Sequence, residues 1–329
     1  MHKGIYKIAA AVFTVFITVS MLSACKMSTA GSASGGKKIL LSMTDTDDTF
    51  RQLLTDAMIS AASSEGVTLD VSYCGSSLEQ QTSDISNAAA NGYSAVIVRL
   101  VDASTALQME VAAGDLPVIF VNNQPEDDYL MENKYVFVGS DEEEAGKLQA
   151  EWVLKKLGNP SKMNGIIMMG EKGHSGTTGR TTAVKQTIRD NGCDLNLVFI
   201  DYANWSDTYA ASAMELFFKT GQSCDAIFCN NDTMALGVVE ALKKEGIDPS
   251  KIPVCGVDAT ADGCSSIENG EMSFTAFQNA DGQALSAIRA AQVISKGGKI
   301  SSVEGGSEDG KYVWVPFEAV DASNVSQYK

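Results

Sequence analysis

The residues with chemistry to offer sit at or just past the ends of short apolar runs. Collected along the chain they are Asp47, Asp48 and Phe50; Arg99 and Asp102; Asn122 and Asn123; Glu171, His174 and Arg180; Asn204 and Trp205; Asn230, Asn231 and Asp232; Asp258; and Gln278 with Asn279. Carboxylates and amides accept hydrogen bonds from hydroxyls, arginine donates in a fixed fork, and aromatic rings cover apolar C–H faces. The set describes a polar, uncharged or weakly charged ligand with many hydroxyls. Asp48, Phe50, Arg180, Trp205, Asn231 and Asp258 together would suit a monosaccharide. Each residue alone also has a purely structural reading. Asp48 would cap a helix beginning near Phe50, Asp232 would cap one running through Met234 and Leu236, and Trp205 would fill a core.

Reaction centres are hard to build from this chain. It has two histidines, and His2 lies in an N-terminal apolar segment, so a zinc enzyme built on several histidines is excluded. The loop Gly170 to Arg180 has glycines every three residues but lacks both the Lys-Ser/Thr ending of a P-loop and the spacing of a dinucleotide loop. His174 and Ser175 are adjacent and cannot act as base and nucleophile, and no G-x-S-x-G is present. Asp48 with Asp258 is the one pair that would serve an exported glycosidase, which needs two carboxyls at about 5–5.5 or 6.5–9.5 Å. The acidic run Asp141 to Glu144 reads as the complement of a helix dipole. The reading is a binding protein and not an enzyme, with no cofactor and no metal.

The elements that must position these residues follow from composition and periodicity. The chain has 329 residues, 44% hydrophobic and 20% charged, enough for about two packed domains. Acids number 41 against 25 basic residues, a net charge of −16, which argues against nucleic acid or an anionic membrane as partner. Strand-like runs recur at Ile39–Met43, Leu69–Tyr73, Ala95–Leu100, Val118–Val121, Tyr135–Gly139, Ile166–Met169, Leu197–Ile200, Ala226–Cys229, Pro253–Val257, Phe274–Phe277 and Tyr312–Phe317. Between them, series such as Phe50, Leu54, Ala57, Met58, Ala61 keep one face apolar at helical period. Continuous apolar strands alternating with helices predict an α/β protein with parallel sheets covered on both faces. Two similar halves, roughly 38–122 and 140–258, are expected, with the last strands returning between them. In such sheets ligands bind beyond the carboxyl ends of the strands, where the polar residues above collect.

The N-terminus reads as an address. Lys3 and Lys7 precede an apolar run from Ile8 to Leu22, too short for a permanent span, so residues 1–24 are expected to be a signal peptide. Leu22-Ser23-Ala24-Cys25 resembles a lipobox. Cys25 would then be lipidated and hold the exported protein on the outer face of the cytoplasmic membrane, with residues 25–36 as a flexible tether. The remaining cysteines, Cys74, Cys193, Cys224, Cys229, Cys255 and Cys264, show no metal or C-x-x-C spacing. Cys229 and Cys255 read as buried, and disulfides are left open.

Nine segments in order carry a resemblance: Asp47 to Phe50, Leu100 to Asp102, Pro117 to Asn122, Val138 to Asp141, Gly170 to His174 with Arg180 to Thr182, Trp205, Asn230 to Gly237, Gly256 to Asp258, and Val315 to Phe317. On them the chain resembles the type I periplasmic binding proteins, and within these the galactose/glucose-binding branch. The resemblance implies two Rossmann-like lobes joined by a three-segment hinge, with an N-terminal lobe of 37–121 plus about 279–308 and a C-terminal lobe of 122–278 plus about 312–329. It implies closure on a sugar and delivery to the permease of an ABC transporter. A chemoreceptor or membrane sensor kinase is the alternative partner. Carried over by position, Asp48 would bind sugar hydroxyls and Phe50 and Trp205 would sandwich the ring. His174, Arg180, Asn231 and Asp258 would be further contacts, and Gln278 stands where the family has asparagine. Arg99 replaces an asparagine and Gly176 an aspartate, which predicts a more positive pocket with extra room near Gly176, suited to a uronate or a substituted sugar. The family's calcium loop is absent from Gly158 to Gly165, which holds no carboxylate, so no calcium is expected there.

Overall fold

A computed structural model of the chain describes residues 38–45 and 48–328. The expected signal segment, Cys25, the tether and Asp47 lie outside these residues. The chain begins β1 (Lys38–Met43), α1 (Thr49–Ser64), β2 (Thr68–Tyr73), α2 (Leu78–Ser86), β3 (Ala95–Val98), α3 (Ala106–Ala113), β4 (Val118–Val121) and β5 (Tyr135–Gly139). It continues through α4 (Glu142–Lys156), β6 (Lys162–Met169), α5 (Ser175–Asp190), β7 (Asp194–Tyr202), α6 (Asp207–Phe218), β8 (Ala226–Cys229), α7 (Asp232–Lys244), β9 (Val254–Asp258), α8 (Ala261–Glu268) and β10 (Phe274–Phe277). It ends with α9 (Ala280–Ile294), β11 (Tyr312–Trp314) and β12 (Glu318–Asp321).

The strands form two six-stranded sheets with equivalent orders, β11-β5-β4-β3-β1-β2 and β12-β10-β9-β8-β6-β7. Pairing between these strands is parallel except for β10 with β12. Successive side chains of a strand point to opposite faces, so a strand buried on both sides must be apolar throughout. β1 shows this: Ile39, Leu41 and Met43 pack on the side of α1 and α9, while Leu40 packs on the side of α2 and α3. The second sheet is likewise covered by α6, α7 and α8 on one face and by α4 and α5 on the other.

The chain crosses between the sheets three times, after β5, after β10 and after β11. This is the expected two-lobed α/β architecture with a three-segment hinge, but the boundaries differ from the sequence reading. Residues 122–139 do not open the second lobe. After β4 the chain turns at Asn122, whose φ is 61°, passes a short 3-10 turn at Asp127–Tyr129 and returns as β5 beside β4. The final run Tyr312–Phe317 is not one strand. Pro316 has no N–H to give a ladder; the run holds only β11, which ends at Trp314 on the first sheet, and β12 begins beyond the run at Glu318 on the second. The six cysteines of the described residues are all free thiols, and Cys229 and Cys255 lie on opposite faces of the second sheet.

Candidate functional site

The carboxyl ends of both sheets face one cleft, lined by Asp48, Phe50, Arg51, Arg99, Asn122, His174, Arg180, Trp205, Asn231, Asp258 and Gln278. All nine residues singled out as ligand contacts, Asp48, Phe50, Arg99, His174, Arg180, Trp205, Asn231, Asp258 and Gln278, are brought together here. The cleft encloses about 290 Å³ of space outside atoms. The lobes meet around it: the Gln124 amide donates to Ser175 Oγ at 2.9 Å, and the Ser175 amide donates to Asn123 Oδ1 at 3.2 Å.

Local strain is concentrated at the strand ends that point residues into the cleft. Asn122, Asn204, Trp205, Asp258 and Ala259 all have positive φ, and Asp258, at 115°, lies outside the left-handed helical well. Trp205 is held by the absence of a side chain at Gly170, where a Cβ would clash with the indole ring. The indole edge meets His174 in a T-shaped contact with centroids 5.1 Å apart. Trp205 is thus both core and pocket wall, so the two readings of it are not exclusive.

Several lining residues also hold the backbone. Asp48 Oδ1 accepts from the Arg51 amide at 2.8 Å and caps α1. Asn231 Oδ1 accepts from the Met234 amide at 2.9 Å and caps α7. The cap expected from Asp232 therefore comes from its neighbour, and Asp232 turns inward instead. It accepts from the Thr260 amide, Thr260 Oγ1 and Thr275 Oγ1 at 2.8, 3.2 and 2.6 Å, propping the loop behind Asp258. Burial pushes its carboxyl up to about 7. His174 Nδ1 accepts from the Gly176 amide at 3.0 Å, which leaves Nε2 as the protonated nitrogen of a neutral ring. Burial, then the charges of Arg99, Arg180 and Arg51, hold it well below the usual histidine value.

Arg180 is the hub of the second lobe. Its Nε donates to Glu142 Oε2 at 2.6 Å, Nη1 to the Asn230 carbonyl at 2.6 Å and Nη2 to Gln278 Oε1 at 3.0 Å. The run Asp141 to Glu144 is therefore more than a dipole complement: Asp141 caps α4, while Glu142 is buried as the counter-ion of Arg180. Asp258 Oδ1 lies 4.0 Å from Arg180 Nη1, is buried, and has no hydrogen-bond partner. Burial pushes the Asp258 carboxyl well above its ordinary value, with Arg180 pulling the other way.

The expected room near Gly176 is not there. A side chain at Gly176 would meet His174 at 3.2 Å and the Glu142 carboxylate at 3.4 Å, so those residues already occupy the space. Arg51 was missed by the sequence reading, which saw only the apolar stripe of α1. The signal was present: an arginine in the first turn sits against the positive end of the helix dipole and needs a specific partner. Its Nη1 donates to Thr44 Oγ1 at 3.2 Å, and its guanidinium lies 3.6 Å from Asp48 and 3.5 Å from Glu171. Arg99 donates to Asn122 Oδ1 at 3.3 Å and to the Leu100 carbonyl at 3.1 Å, and pairs with Glu171 at 3.4 Å, not with Asp102 or Asp48. Among the described residues no group of three His, Cys, Asp or Glu is placed to hold a metal ion.

Residues 39–299 match the periplasmic binding protein domain. The chain belongs to that family. A candidate rhizopine-binding protein of Rhizobium meliloti is 31% identical over 315 residues, covering 94% of this chain and 97% of its own. The D-galactose/methyl-galactoside binding periplasmic protein of Haemophilus influenzae is 26% identical over 251 residues, 72% of this chain and 75% of its own. Among solved structures, an ABC transporter solute binding protein from Bacillus halodurans with bound myo-inositol superposes with a TM-score of 0.78 at 30% identity, covering 90% of this chain and 98% of that one. As a periplasmic binding protein the chain is a binding protein and not an enzyme, and the cleft between the lobes is its candidate ligand site.

Proposed function

We propose that the protein is the substrate-binding component of an ABC importer and closes on a neutral cyclic polyol, a monosaccharide or an inositol-like ring. The observation that carries this reading is the cleft's composition: Phe50 and Trp205 offer faces for an apolar C–H ring, and Asp48, Asp258, Asn231, His174 and Gln278 surround them with hydrogen-bonding groups. The orphan Asp258 Oδ1 is an acceptor for a ligand hydroxyl. The relatives named for D-galactose and rhizopine and the structure holding myo-inositol support a polyol ring and leave its identity between these chemistries.

Charge favours a neutral ligand over the uronate considered from Arg99. Arg180 has Glu142, Arg99 has Glu171, and Arg51 lies within ion-pair distance of Asp48, Asp45 and Glu171. These four carboxylates outnumber the three guanidiniums, so the cleft offers no spare positive charge to an acid. Binding would act by stabilising the closed arrangement, which the permease then recognises. The lipid anchor at Cys25 belongs to the same proposal. Thermal unfolding against myo-inositol, hexoses, pentoses and uronates tests it. A neutral polyol at about 1,000 times its Kd adds roughly 4 kcal/mol and raises Tm by several degrees. A rise with uronates alone would overturn the neutral-ligand reading, and no rise with any of them would overturn the polyol reading.

A further inference from the structure

We infer that Glu171 is a specificity-determining residue that acts through Arg51 and Arg99: it rewards closure around a neutral polyol and opposes closure around an acidic one. The inference rests on the proposed binding of a neutral polyol. Glu171 belongs to the loop after β6 on the second lobe, while Arg51 on α1 and Arg99 after β3 belong to the first. Its Oε1 lies 3.5 Å from Arg51 Nη2 and its Oε2 lies 3.4 Å from Arg99 Nη2, so one carboxylate bridges two guanidiniums across the cleft. Both arginine side chains are nearly buried, at 8% and 3% exposure. Each guanidinium makes the other more costly to keep charged, and the carboxylate between them offsets that cost.

The partners differ in origin. Within its own lobe Arg99 has only neutral acceptors, Asn122 Oδ1 and the Leu100 carbonyl, and Glu171 is its one carboxylate partner among the described residues. That partner arrives only when the lobes meet. Both arginines line the cavity and Glu171 does not. A neutral ring does not compete with Glu171 for the two arginines. A ligand carboxylate drawn to either arginine would face Glu171 and Asp48 as like charges beside nearly buried guanidiniums, and the closed state would lose its advantage. Glu171 is more than a third exposed, and its role follows from what it reaches, not from burial.

The test is calorimetric Kd on the full chain and on Glu171→Gln, with myo-inositol, D-galactose, D-glucose, D-galacturonate and D-glucuronate, alongside small-angle scattering to read closure. Glutamine keeps the shape of a part-exposed side chain, so the fold should survive, which a melting curve checks. The neutral ligand that binds is expected to weaken about tenfold, discounted for solvent screening of the pair, and the ratio of uronate to neutral Kd to fall by at least about tenfold. Adding Arg99→Gln to that variant should abolish the gained uronate affinity. Equal weakening of both classes would overturn the specificity role while leaving the polyol reading intact, as would unchanged Kd values. Failure of the unaltered protein to bind any neutral polyol would instead overturn the reading beneath it.

Discussion

Asp258→Asn is expected to make the unliganded protein more stable and its binding weaker. Asp258 is 4% exposed, its Oδ1 has no hydrogen bond, and its nearest cation, Arg180 Nη1, is 4.0 Å away. Asp232, Asp48 and Glu142 surround it with like charge, and burial pushes its carboxyl well above 3.8. A carboxyl whose folded value is raised contributes stability that is fully present below its unfolded value and is lost as pH rises through the folded one. Asparagine carries no such proton, so the variant escapes the loss. Asparagine keeps a buried acceptor but sheds the buried charge, and each pKa unit of the upward shift is about 1.4 kcal/mol regained once the parent carboxyl ionises. At about 2 °C per kcal/mol for a chain of this size, Tm should rise by at least roughly 2 °C. Asparagine also tolerates positive φ, which Asp258 adopts. A ligand hydroxyl bonded to the charged acceptor is worth about 1.5–3 kcal/mol, so Kd should weaken roughly 10- to 150-fold. Scanning fluorimetry without ligand at pH 4 and pH 7.5 reads the first effect, which should be small at pH 4 and larger at pH 7.5, and calorimetry reads the second. A variant less stable than its parent at pH 7.5, or one that binds equally well, would refute the reasoning.

Gly170→Ala should displace the indole of Trp205, because the added methyl would clash with the ring; ligand Kd should weaken at least about tenfold and Trp205 emission should shift, whereas unchanged binding would show that the ring is not a wall of the site. Arg99→Asn should weaken neutral and acidic sugars alike and lower Tm by several degrees, since Arg99 is already spent on Asn122, the Leu100 carbonyl and Glu171; a loss confined to uronates in calorimetry would reinstate the acidic-ligand expectation. Excess calcium or EGTA should leave Tm unchanged, since Gly158 to Gly165 offers no carboxylate; a calcium-dependent rise in a melting scan would contradict this.

The strands and the site were readable because each rests on local pattern. Apolar runs such as Val118–Val121 announce strands buried on both faces, and a polar residue straight after a run, as at Asp258, falls at a carboxyl end where ligands bind. What escaped depends on side chains meeting across long sequence distances. Glu142 and Arg180 pair over 38 residues, and within the run of acids nothing distinguishes the one that turns inward. Gly176 resembled a vacancy because its neighbours in space, His174 and Glu142, are not marked by periodicity. Arg51 lay one residue past an apolar face and was hidden by it. Pro316 did carry a local signal, the missing N–H, and weighing it would have ended the last run before residue 316.

The threefold crossing also dictates when each lobe can finish forming. The core beneath α1 is completed by Ala284, Ala287, Ile288, Ala290, Ala291 and Ile294 of α9, and the outer edge of the same sheet by β11. A chain made from its N-terminus therefore carries the first sheet with one apolar face covered by α1 alone until residue 294 has emerged. The second lobe has all but its antiparallel edge strand by residue 277. Contacts between distant segments are slow to form. The half synthesised second is thus the first able to fold, and the half synthesised first must wait, open to chaperones, for a helix encoded nearly at the end.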